Sequence, residues 1–243
     1  MIGKRDLVKG FWELGVRRGM ALEVHGALSR FGCVDGGAEA VIEALMEAVG
    51  EEGAIVMPSF RLSKPLALTD EDREMGLTTK IRIVDEAEAR TGMGILSDTF
   101  RMRHDVVSGE GIFRVSAWGK DREIHAAGFG HLIAGDGCAL LLGVDIYKLS
   151  AMHYVEDVLP EAIRARFAPS QMARARYPED CWWIEGWEPE TKPWHTIERE
   201  ARARGMIAEA QIGEAACLFF RVRPVIELYR EALVERAFSL YGL

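Results

Sequence analysis

The sequence predicts an α/β fold, and three features predict it. Short apolar runs alternate with amphipathic helical spacing in a βαβ rhythm from Leu14 to Phe60. A second buried run, Ala139 to Leu142, stops at Gly143 and hands over through a loop to a segment with helical spacing. The 243 residues are 49% hydrophobic and 28% charged, a balance that gives a large core, so one domain spanning residues 1–243 is the simplest reading.

In order, Lys4 to Gly15 places Leu7, Val8, Phe11, Trp12 and Leu14 on one stripe, an amphipathic helix closed by Gly15. ALEV, Ala21 to Val24, alternates as a half-buried strand and ends at His25. A small-residue loop then opens a helix over Ala38 to Val49, whose stripe is Val41, Ile42, Leu45, Met46 and Val49. At the junction Asp35, Gly36, Gly37, Ala38 the glycines permit close backbone approach, and the free N–H groups of a helix start suit an anion. The pattern is neither G-x-G-x-x-G nor a Walker loop, and taken alone the junction reads more often as a plain glycine turn before a helix capped by Asp35. Ala54 to Met57 is a strand stopped by Pro58.

Arg61 to Arg82 is polar and reads as an irregular surface excursion, Glu86 to Arg90 as a helical turn, and TGMGILSDTFR as a glycine-started helix. Val106 to Phe113 has no clear pattern, and Val115 to Trp118 is a short strand. Lys120 to Gly135 is a loop region whose His125 and His131 share no metal-ligand spacing. Ala162 to Tyr177 is basic and mostly helix or loop. Cys181 to Trp187 has strand character with Trp182 and Trp183 on opposite faces, as a core element or a pocket wall. Trp194 to Arg204 is a charged helix, and the chain closes with a turn, a strand and a helix from Pro224.

The segment that carries chemistry is Ala139 to Asp157. Its loop holds Asp145 and Ser150, and from Met152 to Leu159 helical spacing puts Met152, Val155 and Leu159 on one face and His153 beside Glu156 on another. In open α/β sheets ligands bind beside the carboxyl ends of strands, which makes this imidazole and carboxylate a candidate acid/base centre as well as an ordinary surface pair.

Composition narrows the function. No apolar run approaches the roughly 18 residues of a membrane span and the N-terminus lacks an apolar signal core, so a soluble cytoplasmic protein is expected. Cys33, Cys138, Cys181 and Cys217 form no C-x-x-C pair and are expected as reduced, mostly buried thiols, with no metal. A net charge of −8 argues against nucleic acid and favours a cationic small substrate.

Four segments then carry a likeness: LGVRRGMALEVHGALSRFGCVDGGAEAVIEALMEAVGEEGAIVMPSF (Leu14 to Phe60), VSAWG (Val115 to Gly119), LLLGVDIYKLSAMHYVED (Leu140 to Asp157) and IGEAACLFFRVRPVIEL (Ile212 to Leu228). In order and spacing they resemble the aminoglycoside 3-N-acetyltransferase family. The resemblance implies a single three-layer α/β/α domain with a mixed central sheet. It implies acetyl-CoA as co-substrate, transfer to the 3-amino group of a 2-deoxystreptamine antibiotic, and resistance. By position His153 and Glu156 fall on the family's catalytic pair and Ser150 on its threonine. Within the loop Gly26 to Ala38, residues Gly26, Ala27, Leu28, Ser29, Cys33, Val34, Asp35, Gly36 and Gly37 fall on the stretch along which the family lays pantetheine and phosphates.

Chemistry asks for such parts: a base near neutral pKa must take the amine's proton, a carboxylate can fix its tautomer, and Ser150 or a backbone N–H can meet the oxyanion. The chain departs from the family where H-S-S-L becomes His25, Gly26, Ala27, Leu28. The family's R-S-x-H-P-x-x-S stretch before A-W-G is absent, and the chain is shortened between His131 and Cys138. A polycationic acceptor would need carboxylates, for which Asp145, Glu156, Asp157, Glu179, Asp180, Glu185 and Glu188 are the candidates. Other small amines as acceptors, a CoA or cationic-ligand binder without turnover, and a metal hydrolase are the competing readings.

Overall fold

The computed structural model describes residues 1–243. Its elements, in chain order, are α1 (Lys4–Leu14), β1 (Ala21–Gly26), α2 (Gly37–Val49), β2 (Ala54–Pro58), α3 (Asp70–Glu74), β3 (Thr79–Arg82), α4 (Ile95–Arg101), β4 (Val107–Ser108) and β5 (Val115–Gly119). They continue with α5 (Arg122–Ala126), α6 (Gly130–Ala134), β6 (Cys138–Leu142), α7 (Glu161–Phe167), α8 (Gln171–Arg176), β7 (Trp182–Glu185), α9 (Pro193–Ala203), β8 (Ala208–Ile212), β9 (Ala215–Arg221) and α10 (Val222–Leu240).

Seven strands form one mixed sheet in the order β4-β5-β2-β1-β6-β9-β8. β1 runs parallel to both β2 and β6, while β5, β4, β9 and β8 add antiparallel at the two sides. The parallel strands sit at the centre because their crossovers cover both faces, which suits the uninterrupted apolar runs AIVM and CALLL.

Strand alternation feeds two cores. Leu22, Val24, Ile55, Met57, Leu140 and Leu142 point to the side covered by α1, α2 and α4. Val56, Ala139, Leu141, Leu218 and Phe220 point to the opposite side, packed under α10, α9 and the 3-10 segment Ser150–Val158. The result is an α/β fold with the sheet between two helical layers.

The structure corrects several local expectations. His153 and Glu156 lie on a nine-residue 3-10 helix, Ser150–Val158, rather than an α-helix. In that tighter coil residues i and i+3 eclipse, which stacks the two side chains more directly than α geometry does. Asp35 does not cap α2: the N-cap is Gly36, left-handed at φ 79°, and no side chain caps the helix. Asp35 sits instead in the turn that precedes the helix, its N–H donating to Ile2 O at 2.9 Å.

The excursion Arg61 to Arg82 is not irregular throughout. It holds α3 and β3, and β3 pairs antiparallel with β7 as a separate ribbon. Glu86 and Ala87 make a turn without a helix, and the His125 and His131 region folds as α5 and α6. Cys138 and Cys217 are buried as expected, but Cys33 and Cys181 are exposed. No helix is long and apolar enough to cross a membrane, and no cluster of three His, Cys, Asp or Glu side chains is placed to hold a metal.

Candidate active site

A cleft of about 870 Å³ opens where β1 and β6 end, the switch region of the sheet. One wall is the loop after β1, which contributes Gly26, Ala27, Leu28, Ser29, Val34 and Gly37. Of the remaining loop positions expected at a cofactor, Cys33, Asp35 and Gly36 do not line it. The opposite wall follows β6 and brings in Tyr147, Ser150 and His153, with Trp194 from α9. Gly26 is required by space: a Cβ there would stand 2.8 Å from Leu96 Cδ1 and 3.1 Å from Leu142 Cβ.

His153 Nδ1 lies 2.7 Å from Glu156 Oε2. A carboxylate accepts only, so Nδ1 carries the proton and Nε2 is left as the acceptor of the neutral ring. The walls around the ring favour its neutral form. The hydrogen bond and charge of Glu156, with the charges of Glu185 and Glu23 behind it, outweigh them and hold the imidazole above its ordinary value. Trp194 meets the ring edge-on at 4.9 Å between centroids, fixing its plane.

Glu156 is itself held from behind. Its Oε1 accepts from the Tyr229 hydroxyl at 3.2 Å, and the Tyr229 and Tyr241 oxygens are 2.7 Å apart. Burial pushes both phenols up, Tyr241 to about 12, so each stays protonated and Tyr241 donates to Tyr229 as Tyr229 donates to Glu156. The order Tyr241, Tyr229, Glu156 is a chain of donors that ends on the carboxylate, which accepts from His153 Nδ1–H on its other oxygen and leaves Nε2 as the one ring nitrogen able to accept. Nothing in the sequence marks Tyr229 or Tyr241, which come from α10 and the chain's last turn more than seventy residues away.

Trp194 and Tyr147 were also missed; their rings stack at 5.1 Å and form the cleft wall beside His153. The anticipated aromatic wall is therefore not Trp182, Trp183 or Trp187. Trp182 packs on Tyr177 and Trp183 on Phe113, on opposite faces of β7.

Below the 3-10 segment lies a second pair that the sequence hid. Glu23, read from ALEV as facing solvent, is fully buried, and its Oε1 lies 2.8 Å from His25 Nε2. The seven candidate acceptor carboxylates do not converge. Asp145 pairs with His195 at 3.3 Å and Asp157 with Arg230 at 3.4 Å, while Glu179, Asp180 and Glu188 are exposed. Of the seven only Glu156 and Glu185 act on His153, and burial raises the Glu185 carboxyl despite donors from Trp183 and Thr79.

Comparison with known proteins finds relatives along nearly the whole chain. A prophage-derived aminoglycoside N(3')-acetyltransferase-like protein, YokD of Bacillus subtilis, is 29% identical over 248 aligned positions, covering 92% of this chain and 89% of that protein. The crystal structure of the aminoglycoside acetyltransferase AAC(3)-IVa superposes with a TM-score of 0.71 at 19% identity over 98% of this chain and 90% of that one. The structure of AAC-IIIb in binary complex with CoASH superposes with a TM-score of 0.68 at 17% identity, covering 97% of each chain. The family model for aminoglycoside 3-N-acetyltransferases matches residues 24–234, which includes both cleft walls, and the chain belongs to that family.

Proposed function

We propose that this protein transfers the acetyl group of acetyl-CoA directly to the 3-amino group of a 2-deoxystreptamine aminoglycoside, giving resistance, with His153 as general base. The observation that carries the reading is the His153–Glu156 pair at 2.7 Å on the wall of a cleft whose other wall is the glycine-bordered loop. Support for the co-substrate comes from AAC-IIIb, which binds CoASH in a chain of the same fold. Gly26 to Ser29, Val34 and Gly37 offer backbone close enough for a pantetheine arm, and Lys64 and Lys148 on the same cleft supply cations for its phosphates.

An ammonium cannot attack a thioester. The acceptor therefore attacks as the free amine: His153 Nε2 takes one of its two protons as the new N–C bond forms, and Glu156 holds the resulting imidazolium through Nδ1–H until it returns that proton to solvent. Ser150, on the cleft wall, supplies the oxyanion donor. The C–S bond then breaks, and CoA leaves as a thiolate that takes a proton from solvent. No covalent enzyme intermediate is needed.

One observation favours a second acceptor class. No residue lining the cleft is Asp or Glu, whereas two are lysines, so a polycationic ring system would find its carboxylates only outside that lining, at Glu156 and Glu185, whose charges act on His153. A less cationic amine fits that lining better. Release of free CoA thiol from acetyl-CoA, measured with gentamicin, sisomicin and neomycin beside simple monoamines, decides between them. Aminoglycoside-dependent release establishes the first reading, release with monoamines alone selects the second, and no release with any amine contradicts both.

A further inference from the structure

Glu23 is out of place by the rules of the strand it occupies. β1 is the central strand, bonded to β2 and β6, and its neighbours in register are Val56 and Ala139. A strand buried on both faces calls for an apolar side chain, and a carboxylate is costly to bury unless its oxygens are met. Yet Glu23 is fully buried, and its Oε2 has no hydrogen-bond partner.

Oε1 shows what the carboxylate does. It accepts the Ala151 N–H at 3.2 Å and meets His25 Nε2 at 2.8 Å. Ala151 is the second residue of the 3-10 segment, two before His153. His25 stands on the same face of β1 two residues on, lines the cleft, and leads directly into Gly26 and the loop of the other wall. One oxygen thus bridges the start of the base-bearing segment and the strand end that begins the opposite wall.

We infer that Glu23 is a positioning residue that fixes the His153 segment against the end of β1, so that the base and the thioester are held in one frame. The inference rests on the reading of His153 as base. It accounts for a carboxylate kept where packing alone asks for leucine: a backbone N–H at the N-terminal end of a short 3-10 segment is otherwise without an acceptor, and the site needs the segment still.

The test is Glu23→Leu, with Glu23→Gln as the conservative variant that keeps an acceptor for Ala151 N–H. Glu23→Leu is expected to lower kcat about 10- to 100-fold, the scale of an ångström's misplacement. KM for acetyl-CoA should stay within about twofold, while the thermal midpoint falls because His25 and the Ala151 N–H lose their buried partner. Glu23→Gln recovers most of the rate, and it carries the test by the same kcat-against-KM split if the leucine variant does not fold. A carboxylate with only a structural role would lower the thermal midpoint with kcat retained, and that result overturns the inference. Should the wild type acetylate no amine, the functional reading fails on its own terms. The inference is then decided by the NMR signal of the His153 ring: a shift or broadening in Glu23→Leu supports the tie, and an unchanged signal overturns it.

Discussion

The molecule holds two Glu–His pairs on the same side of its sheet, alike in separation and opposite in surroundings. His153 and Glu156 meet at 2.7 Å on an exposed 3-10 segment, and His25 and Glu23 meet at 2.8 Å inside the layer beneath it. In the outer pair Nδ1 is committed to the carboxylate, and the second carboxylate oxygen is satisfied by Tyr229. In the inner pair Nε2 is committed, one oxygen also serves Ala151 N–H, and the second oxygen has nothing. The difference teaches that an acid–imidazole pair acquires its work from what else its carboxylate holds. The outer one is backed by donors and free to accept a proton; the inner one is spent on backbone.

The sharpest way to break this comparison is His153→Ala. If the outer pair is the base, kcat falls about 10²- to 10⁴-fold, while acetyl-CoA affinity measured by titration calorimetry stays near that of the wild type. Turnover that survives would hand the role to the inner pair.

A smaller effect sharpens the account of the backing. Tyr229→Phe leaves Glu156 Oε1 without its donor and the Tyr241 hydroxyl without its acceptor in a buried setting. Urea denaturation should show a loss of about 1–3 kcal/mol, with kcat reduced only several-fold because the Glu156 to His153 bond survives. A stability equal to that of the wild type would mean the two hydroxyls do not back the pair.

How much of this was legible beforehand follows from the type of signal. The strand ends at His25 and Leu142 and the helix α2 were readable because apolar periodicity and glycine punctuation mark them locally. The pair His153 and Glu156 was readable because i, i+3 neighbours meet in either helix type; the choice of 3-10 over α was not, since the same spacing serves both. Glu23 was misread because alternation cannot tell a strand with one wet face from one covered on both, a fact set by β2, β6 and the layer above. The ribbon of β3 and β7 escaped because TKIR has no apolar alternation; its Lys80 is held instead by Asp72, a partner outside the strand. Tyr229 and Tyr241 reach Glu156 only through tertiary packing of α10, for which no local pattern exists.

The central claim, that His153 works as a base poised by Glu156, is tested most directly by the pH dependence of kcat at saturating substrates in the wild type and in Glu156→Gln. The base must be neutral to act, so the rate climbs as pH rises through the His153 pKa, which Glu156 holds above the ordinary imidazole value. Removing that negative charge lowers the pKa, so the account predicts an acidic limb displaced to lower pH together with a lower plateau. An acidic limb that stays in place at an undiminished plateau would contradict it.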